Sequence, residues 1–158
     1  MQVLPAHHLK IALLQPQIAP NTGNIARLCV ATGTELHLVR PMGFVLSDRE
    51  LKRSAMDYWP RLTLTVHDDD AAFFAQAPLG RSWFFTSKGT KTLWGANFSD
   101  GDWLIFGSET SGLSNSIRAR AGDHSIRIPQ ASGERCLNLS TAVGIALFEA
   151  LRQVTAPA

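Results

Sequence analysis

The chain has 158 residues, of which 45% are hydrophobic and 18% are charged, and this composition suits one globular domain over residues 1–158. Its formal net charge of +2 allows a nucleic-acid partner without requiring one. Cys29 and Cys136 lie outside any C-x-x-C pattern, so we expect free thiols and no structural zinc. Because a secretory signal and a membrane-length apolar run are both missing, we expect a cytoplasmic protein.

The first half of the chain alternates between apolar runs and helical patterns. Pro20 is expected to prevent an early helix, so that Asn21 or Thr22 caps a helix that begins near Gly23 and stops at Gly33. The other predicted elements are strands at 9–14, 35–40 and 62–66, a helix over 47–55 with a capping box, and a helix over 68–77.

The second half predicts more strands and a long final helix. The predicted elements are strands at 83–86, 103–106 and 125–128, a loop at 87–92, a short helix over 112–121 and a helix from Asn138 to Arg152. Ile145 and Phe148 give this last helix a second apolar face, which a second copy of the chain could cover. The alternation is typical of an α/β protein with a mostly parallel sheet flanked by helices.

In open parallel sheets, ligands bind beyond the carboxyl ends of the strands. Four predicted loops qualify, at 15–27, 86–92, 107–113 and 129–138. None carries G-x-G-x-x-G after the first strand or G-x-x-x-x-G-K-[ST], which disfavours a standard nucleotide-binding half-domain.

Several residues in these loops have both a functional and a structural interpretation. Arg27 in PNTGNIAR follows a helix start and could hold an anion, although an arginine on a solvated face is the commoner case. Glu109 in GSETSGL lies just beyond a strand, in a loop that could equally be a turn closed by Ser108 and Ser111. Asn138 and Ser140 can simply cap the last helix.

Other polar and thiol groups give weaker signals. Cys136 is expected to be a small buried residue and not a nucleophile. The histidines are scattered without ligand spacing, so we assign them neither a metal nor a catalytic role. Basic residues occur in small clusters. They would form a surface that binds the phosphate backbone of a nucleic acid only if the fold brought them together at one edge of the domain.

Three blocks together resemble the motifs of the SPOUT superfamily of RNA 2′-O-ribose methyltransferases. They are NTGNIARL, FGSETSGLS and IRIP…CLNLSTAVGIALFEA, in that order. The short length, PNTGNIARLC and RPMGF are similar to the branch that acts on the tRNA wobble nucleotide, cytidine or uridine 34.

That resemblance implies S-adenosylmethionine as methyl donor, tRNA as substrate, a homodimer and a C-terminal trefoil knot, which general topology rules would exclude. It also implies catalytic roles for Arg27, Glu109, Asn138 and Ser140. The implied cofactor-binding residues are Thr86, Ser87, Lys88, Gly107, Ser108, Glu109, Ile128, Pro129, Cys136, Leu137 and Asn138.

The chain departs from the family pattern at two positions. Cys136 stands where members commonly have serine, and Phe148 stands where relatives often have tyrosine. Three alternatives stay open: methylation of another tRNA or rRNA position, an RNA-binding module without methyl transfer, and an α/β enzyme that binds another anion.

Overall fold

The computed structural model of the chain describes residues 3–47, 53 and 57–156. Within them lie, in order, β1 (Lys10–Leu14), α1 (Ala19–Thr32), β2 (Glu35–Val39), β3 (Leu64–His67), α2 (Asp70–Phe74), β4 (Ser82–Phe85), β5 (Lys91–Thr92), β6 (Trp103–Phe106), α3 (Asn115–Ala121), β7 (Ser125–Arg127) and α4 (Leu139–Thr155). The seven strands form one parallel sheet in the order β3-β2-β1-β6-β4-β7-β5. This confirms the predicted α/β fold. None of the helices in the described ranges combines the length and apolar character needed to cross a bilayer.

The sheet is covered on both faces, because successive residues of its strands point to opposite sides. Ile11 and Leu13 of β1 pack into a core cluster that includes residues of α1 and α4. Ala12 and Leu14 pack into a second cluster, which includes residues of α2 and α3. The central strands are therefore apolar at nearly every position, as expected for a parallel sheet between two helical layers.

The start of α1 corrects the sequence prediction. The helix begins at Ala19 and contains Pro20 in its first turn, where a proline costs no hydrogen bond because those amides have no helical partner. Asn21 and Thr22 are buried inside the helix and do not cap it. Its end was predicted correctly, since Gly33 terminates it with a left-handed φ of 70°.

The segments 87–92 and 68–77 differ most from their predictions, whereas most other elements shift by one to three residues at an end. The segment 87–92 was predicted as a loop, but Lys91 and Thr92 form β5 by pairing with β7. The helix predicted over 68–77 is shorter, because Asp69 caps it by accepting from the Ala72 amide at 2.8 Å and it ends at Phe74. The helix predicted over 47–55 lies almost entirely outside the described residues.

Two histidines that are distant in sequence meet on β2 and β3. His37 Nδ1 and His67 Nε2 are 3.0 Å apart, and each residue is 4% exposed. His37 also packs on Trp103, with ring centroids 4.5 Å apart. Burial lowers the pKa of both imidazoles below the ordinary 6.5, although the hydrogen bond that His37 Nε2 donates to the Glu35 carboxylate partly opposes this for His37.

This pair predicts that acid destabilises the fold. Below about pH 6.5 the two imidazoles bind protons in the unfolded chain but stay neutral in the folded chain. The free energy of unfolding should therefore fall as the pH is lowered. We expect the free energy of unfolding, measured by urea titration, to be lower at about pH 5 than at about pH 7.5. A His37→Gln, His67→Gln double variant should show a flatter dependence, and equal slopes would contradict this origin.

Candidate active site

A cavity of about 540 Å³ lies at the carboxyl edge of the sheet, where β4, β6 and β7 end. The first turns of α1 and α4 close its other side. Both its position and its volume are typical of small-molecule sites in parallel α/β folds. Ten of the sequence-predicted residues line it: Thr86, Ser87, Lys88, Gly107, Ser108, Glu109, Ile128, Cys136, Leu137 and Asn138.

The loop after β6 folds tightly against itself at the cavity wall. A Cβ at Gly107 would lie 2.1 Å from the Gly112 carbonyl carbon, so no side chain fits there without moving backbone. The Ser108 hydroxyl accepts from the Ser111 amide at 3.1 Å, which closes the turn. The predicted turn is therefore present, and it also forms part of the cavity.

Glu109 connects this loop to the start of α1. Its carboxylate accepts from the amides of Gln17 and Ile18 at 2.8 and 2.9 Å, and from Asn21 Nδ2 at 3.2 Å. Ile18 occupies the capping position of α1 without a side-chain acceptor of its own, so a glutamate from a distant loop supplies the cap. A carboxylate at this position is also stabilised by the helix dipole.

Asn21 joins the three sequence blocks through hydrogen bonds. It donates to Glu109, and its Oδ1 accepts from Asn138 Nδ2 at 3.1 Å. Asn138 in turn caps α4 by accepting from the Ser140 amide at 3.0 Å and from the Ser140 hydroxyl at 2.6 Å. The sequence analysis treated Asn21 as a helix cap and missed this bridging position. Asn21 stands beside Thr22, Gly23 and Asn24 in the sequence, so no local pattern singles it out.

We expect Asn21→Ala to lower the free energy of unfolding by about 1–3 kcal/mol, because it removes a buried side chain that bonds to both the Asn138 amide and the Glu109 carboxylate. Asn24→Ala is the matched control, since Asn24 is exposed on the same helix. Urea unfolding should place the control within about 0.5 kcal/mol of the wild type. Similar losses in both variants would contradict a bridging role.

Three predicted site residues lie outside the cavity wall. Arg27 is exposed about 9 Å farther along α1 than Asn21, and its Cζ lies 4.9 Å from the centre of the Tyr58 ring. Ser140 is half-buried beneath Asn138. Pro129 follows β7 between two residues that do line the cavity, Ile128 and Gln130. Arg27 therefore does not line this cavity.

The two cysteines have different environments, and one differs from expectation. Cys136 is exposed at the cavity wall and not buried, because the loop after β7 runs along the surface. Cys29 is buried in the core, where desolvation raises the pKa of its thiol to about 12 and keeps it protonated.

Arg118 of α3 also lines the cavity, and its buried Nε has no hydrogen-bond partner among the described residues.

Comparisons with known proteins identify the family of the chain. The model of the SpoU rRNA methylase family matches residues 8–148. The tRNA (cytidine(34)-2'-O)-methyltransferase of Escherichia coli strain K12 is 43% identical over 150 residues, which cover 94% of this chain and 96% of that protein. A solved structure described as giving structural insights into the 2-OH methylation of C/U34 on tRNA matches with a TM-score of 0.90 and 45% identity, covering 96% of this chain and 99% of that one.

A more distant structure, an AdoMet-bound rRNA methyltransferase from Sinorhizobium meliloti, matches with a TM-score of 0.77 and 25% identity, covering 95% of this chain and 58% of that one. These findings confirm the resemblance carried by the three sequence blocks. The chain belongs to the SpoU rRNA methylase family.

Proposed function

We propose that the chain transfers a methyl group from S-adenosylmethionine to the ribose 2′-hydroxyl of the tRNA wobble nucleotide, a cytidine or modified uridine at position 34. The observation that carries this proposal is the convergence of the three family motifs on one cavity through Asn21, Glu109 and Asn138. Three relatives that are 42–46% identical over at least 90% of the chain carry the name tRNA (cytidine(34)-2'-O)-methyltransferase, one of them as putative, and this favours tRNA over rRNA as the substrate.

The cavity suits S-adenosylmethionine. Its walls combine apolar side chains such as Phe85 and Phe106 with the backbone and hydroxyl groups of the loop after β6, which matches a ligand with an adenine ring and polar groups. The unpaired Nε of Arg118 offers a donor to an anionic group. When bound, the cofactor supplies a methyl group on an electrophilic sulfonium. We assign its binding to the eleven predicted residues, including Pro129.

The C-terminal part of the chain supports a trefoil knot. β7 pairs with both β4 and β5, although those two strands are joined directly by residues 86–90. That connection crosses β7 closely, since a Cβ at Gly89 would lie 2.3 Å from the Ile126 carbonyl carbon. Arg127 stabilises this close approach, because its Nη1 donates a hydrogen bond to the Gly89 carbonyl at 2.9 Å. We infer that the chain passes through this loop before it forms α4.

The apolar surface on α1 and α4 supports a homodimer. α4 buries one face against its own protomer, yet Ile145 and Phe148 on another side are 40% and 52% exposed. Ile18 at the start of α1 is 43% exposed as well. A second copy of the chain would cover these side chains. We propose that it also brings its Arg27 to this cavity, because Arg27 lies outside the cavity of its own protomer.

A shared site predicts complementation between inactive variants. An Arg27→Ala chain mixed with a Gly107→Ala chain should regain activity, because each heterodimer has one site with both residues intact. After complete exchange at equal amounts we expect about a quarter of wild-type activity in a labelled-methyl assay. Verified subunit exchange without any recovery would place the whole site within one chain.

We assign to Arg27 the task of holding a phosphate of the target nucleotide and stabilising the negative charge that develops on the ribose 2′-oxygen. A guanidinium stays protonated in proteins, so it is a poor general base. The ribose proton therefore goes to solvent or to a substrate phosphate. Much of the rate then comes from positioning the 2′-oxygen in line with the methyl carbon.

The direct test is to incubate the pure protein with bulk tRNA and labelled S-adenosylmethionine and to locate the new methyl group by mass spectrometry. Methyl transfer to the ribose at position 34 is expected, and tRNA that already carries a 2′-O-methyl group there is the control. A methyl group elsewhere would support the alternative RNA targets. A dimer that binds no S-adenosylhomocysteine in calorimetry would instead indicate an RNA-binding module.

A further inference from the structure

The ring of Tyr58 brings together two arginines that are far apart in sequence. Arg27 Cζ lies 4.9 Å from the ring centre, and Arg61 Cζ lies 5.5 Å from it. Tyr58 is half-buried, whereas both arginines are exposed. The position of Arg61 is set by a short 3₁₀ turn over Trp59–Arg61, in which the Arg61 amide donates to the Tyr58 carbonyl at 2.9 Å.

Among the residues that the structure describes, no carboxylate pairs with the guanidinium of Arg27 or of Arg61. The ion pairs of arginine within the described residues involve Arg40, Arg81 and Arg152, and neither Arg27 nor Arg61 takes part in one. Asp57 is adjacent in sequence, yet no pair within 4.0 Å joins it to either guanidinium. Two like charges beside one ring repel each other, and a bound anion would relieve that repulsion.

We propose that Arg27, Tyr58 and Arg61 form a binding site for the RNA backbone, which we name the Tyr58 clamp. In it, Arg27 and Arg61 each bind a phosphate oxygen near the target ribose, and Tyr58 is a positioning residue that holds the guanidinium of Arg27. This inference rests on the proposed function, because the ligand is the tRNA substrate. It adds a second phosphate contact and a residue that the family motifs do not contain.

An RNA phosphate fits this site better than a compact anion does. Guanidinium groups present several donors in a plane and bind phosphate oxygens in a two-pronged manner. The site is an exposed surface next to a half-buried ring and not an enclosed pocket, which suits a continuous backbone. The stacking contact also restricts the rotation of Arg27, so less freedom is lost when the substrate binds.

The test compares four variants in steady-state methylation and in tRNA-binding titrations over a range of salt concentrations. Arg61→Gln should raise KM and Kd for tRNA and leave kcat unchanged. In a plot of log Kd against log salt concentration, it should reduce the slope by about 0.7, which is the contribution of one phosphate contact. Tyr58→Leu should lower kcat by about 2- to 30-fold, and Tyr58→Phe, which keeps the ring, should restore it. Arg120→Gln is the matched control, because Arg120 stacks on Phe74 at 4.7 Å elsewhere on the surface.

The affinity for S-adenosylhomocysteine and the thermal midpoint should stay at wild-type values in all four variants. The clamp is contradicted if Arg61→Gln keeps the wild-type salt slope, a result that does not depend on Tyr58→Leu folding well. It is also contradicted if Tyr58→Leu and Tyr58→Phe lose activity equally. These results would leave the proposed function intact, whereas a wild-type protein that methylates no tRNA would contradict the function itself.

Discussion

Replacing Arg27 by lysine is expected to lower kcat for methyl transfer by about 10²- to 10³-fold, the usual loss when a group that stabilises developing negative charge is removed. Lysine keeps the positive charge but loses the planar arrangement of donors, so it cannot hold a phosphate and the reacting oxygen in one geometry. It also loses much of the stacking on Tyr58. Single-turnover kinetics with saturating tRNA would measure this effect separately from binding.

The control for this variant is Arg152→Lys. Arg152 is exposed in the last turn of α4, about 15 Å along the helix from Ala142 at the cavity wall, and pairs with Glu149 at 2.9 Å. It should leave kcat unchanged, and both variants should bind S-adenosylhomocysteine as the wild type does. Turnover by Arg27→Lys within about threefold of the wild type would show that charge alone suffices and would contradict the geometric role.

Removing the Asp102 carboxylate should have the largest effect on stability. Asp102 is 3% exposed and accepts from Arg81 Nε at 2.7 Å, from Trp83 Nε1 at 2.8 Å and from the Ser99 amide at 2.8 Å. These contacts join the starts of β4 and β6, at the edge opposite the cavity. Asp102→Ala leaves several donors without an acceptor, so we expect the free energy of unfolding to fall by about 3–5 kcal/mol in urea titrations.

Asp100→Ala is the matched control for Asp102→Ala. Asp100 lies two residues away and pairs at 2.8 Å with His8, whose side chain is 79% exposed. Because exposed ion pairs contribute little, its loss should change the free energy of unfolding by about 1 kcal/mol or less. Equal losses in the two variants would show that the acceptor network of Asp102 does not hold the strands together.

Local chemistry was sufficient to predict many of the elements. The strand at 103–106 was predicted with its observed bounds, because it is a continuous apolar run. Asn138 and Ser140 were the two predicted caps of the last helix, and Asn138 is the one observed, since its Oδ1 accepts from the Ser140 and Thr141 amides. Signals of this kind depend on residues within one or two turns of each other, so the chain alone reveals them.

The wrong predictions concern elements whose stability comes from distant residues. α1 begins earlier than predicted because its cap, Glu109, lies about 90 positions away along the chain. β5 has two residues and no periodic pattern of its own, and it exists because β7 pairs with it. Cys136 is exposed because of the path of its loop, which its residue type does not reveal.

The amino-acid sequence by itself determined the alternation of strands and helices and the family motifs, and the resemblance carried by those motifs pointed to ten of the 23 residues that line the cavity. The tertiary structure alone decided which polar groups meet: Asn21 with Glu109 and Asn138, His37 with His67, and Arg27 with Tyr58 and Arg61. The physical reason is that backbone preferences and caps act over a few residues, whereas these contacts depend on the strand order of the sheet and on how the helices pack against it.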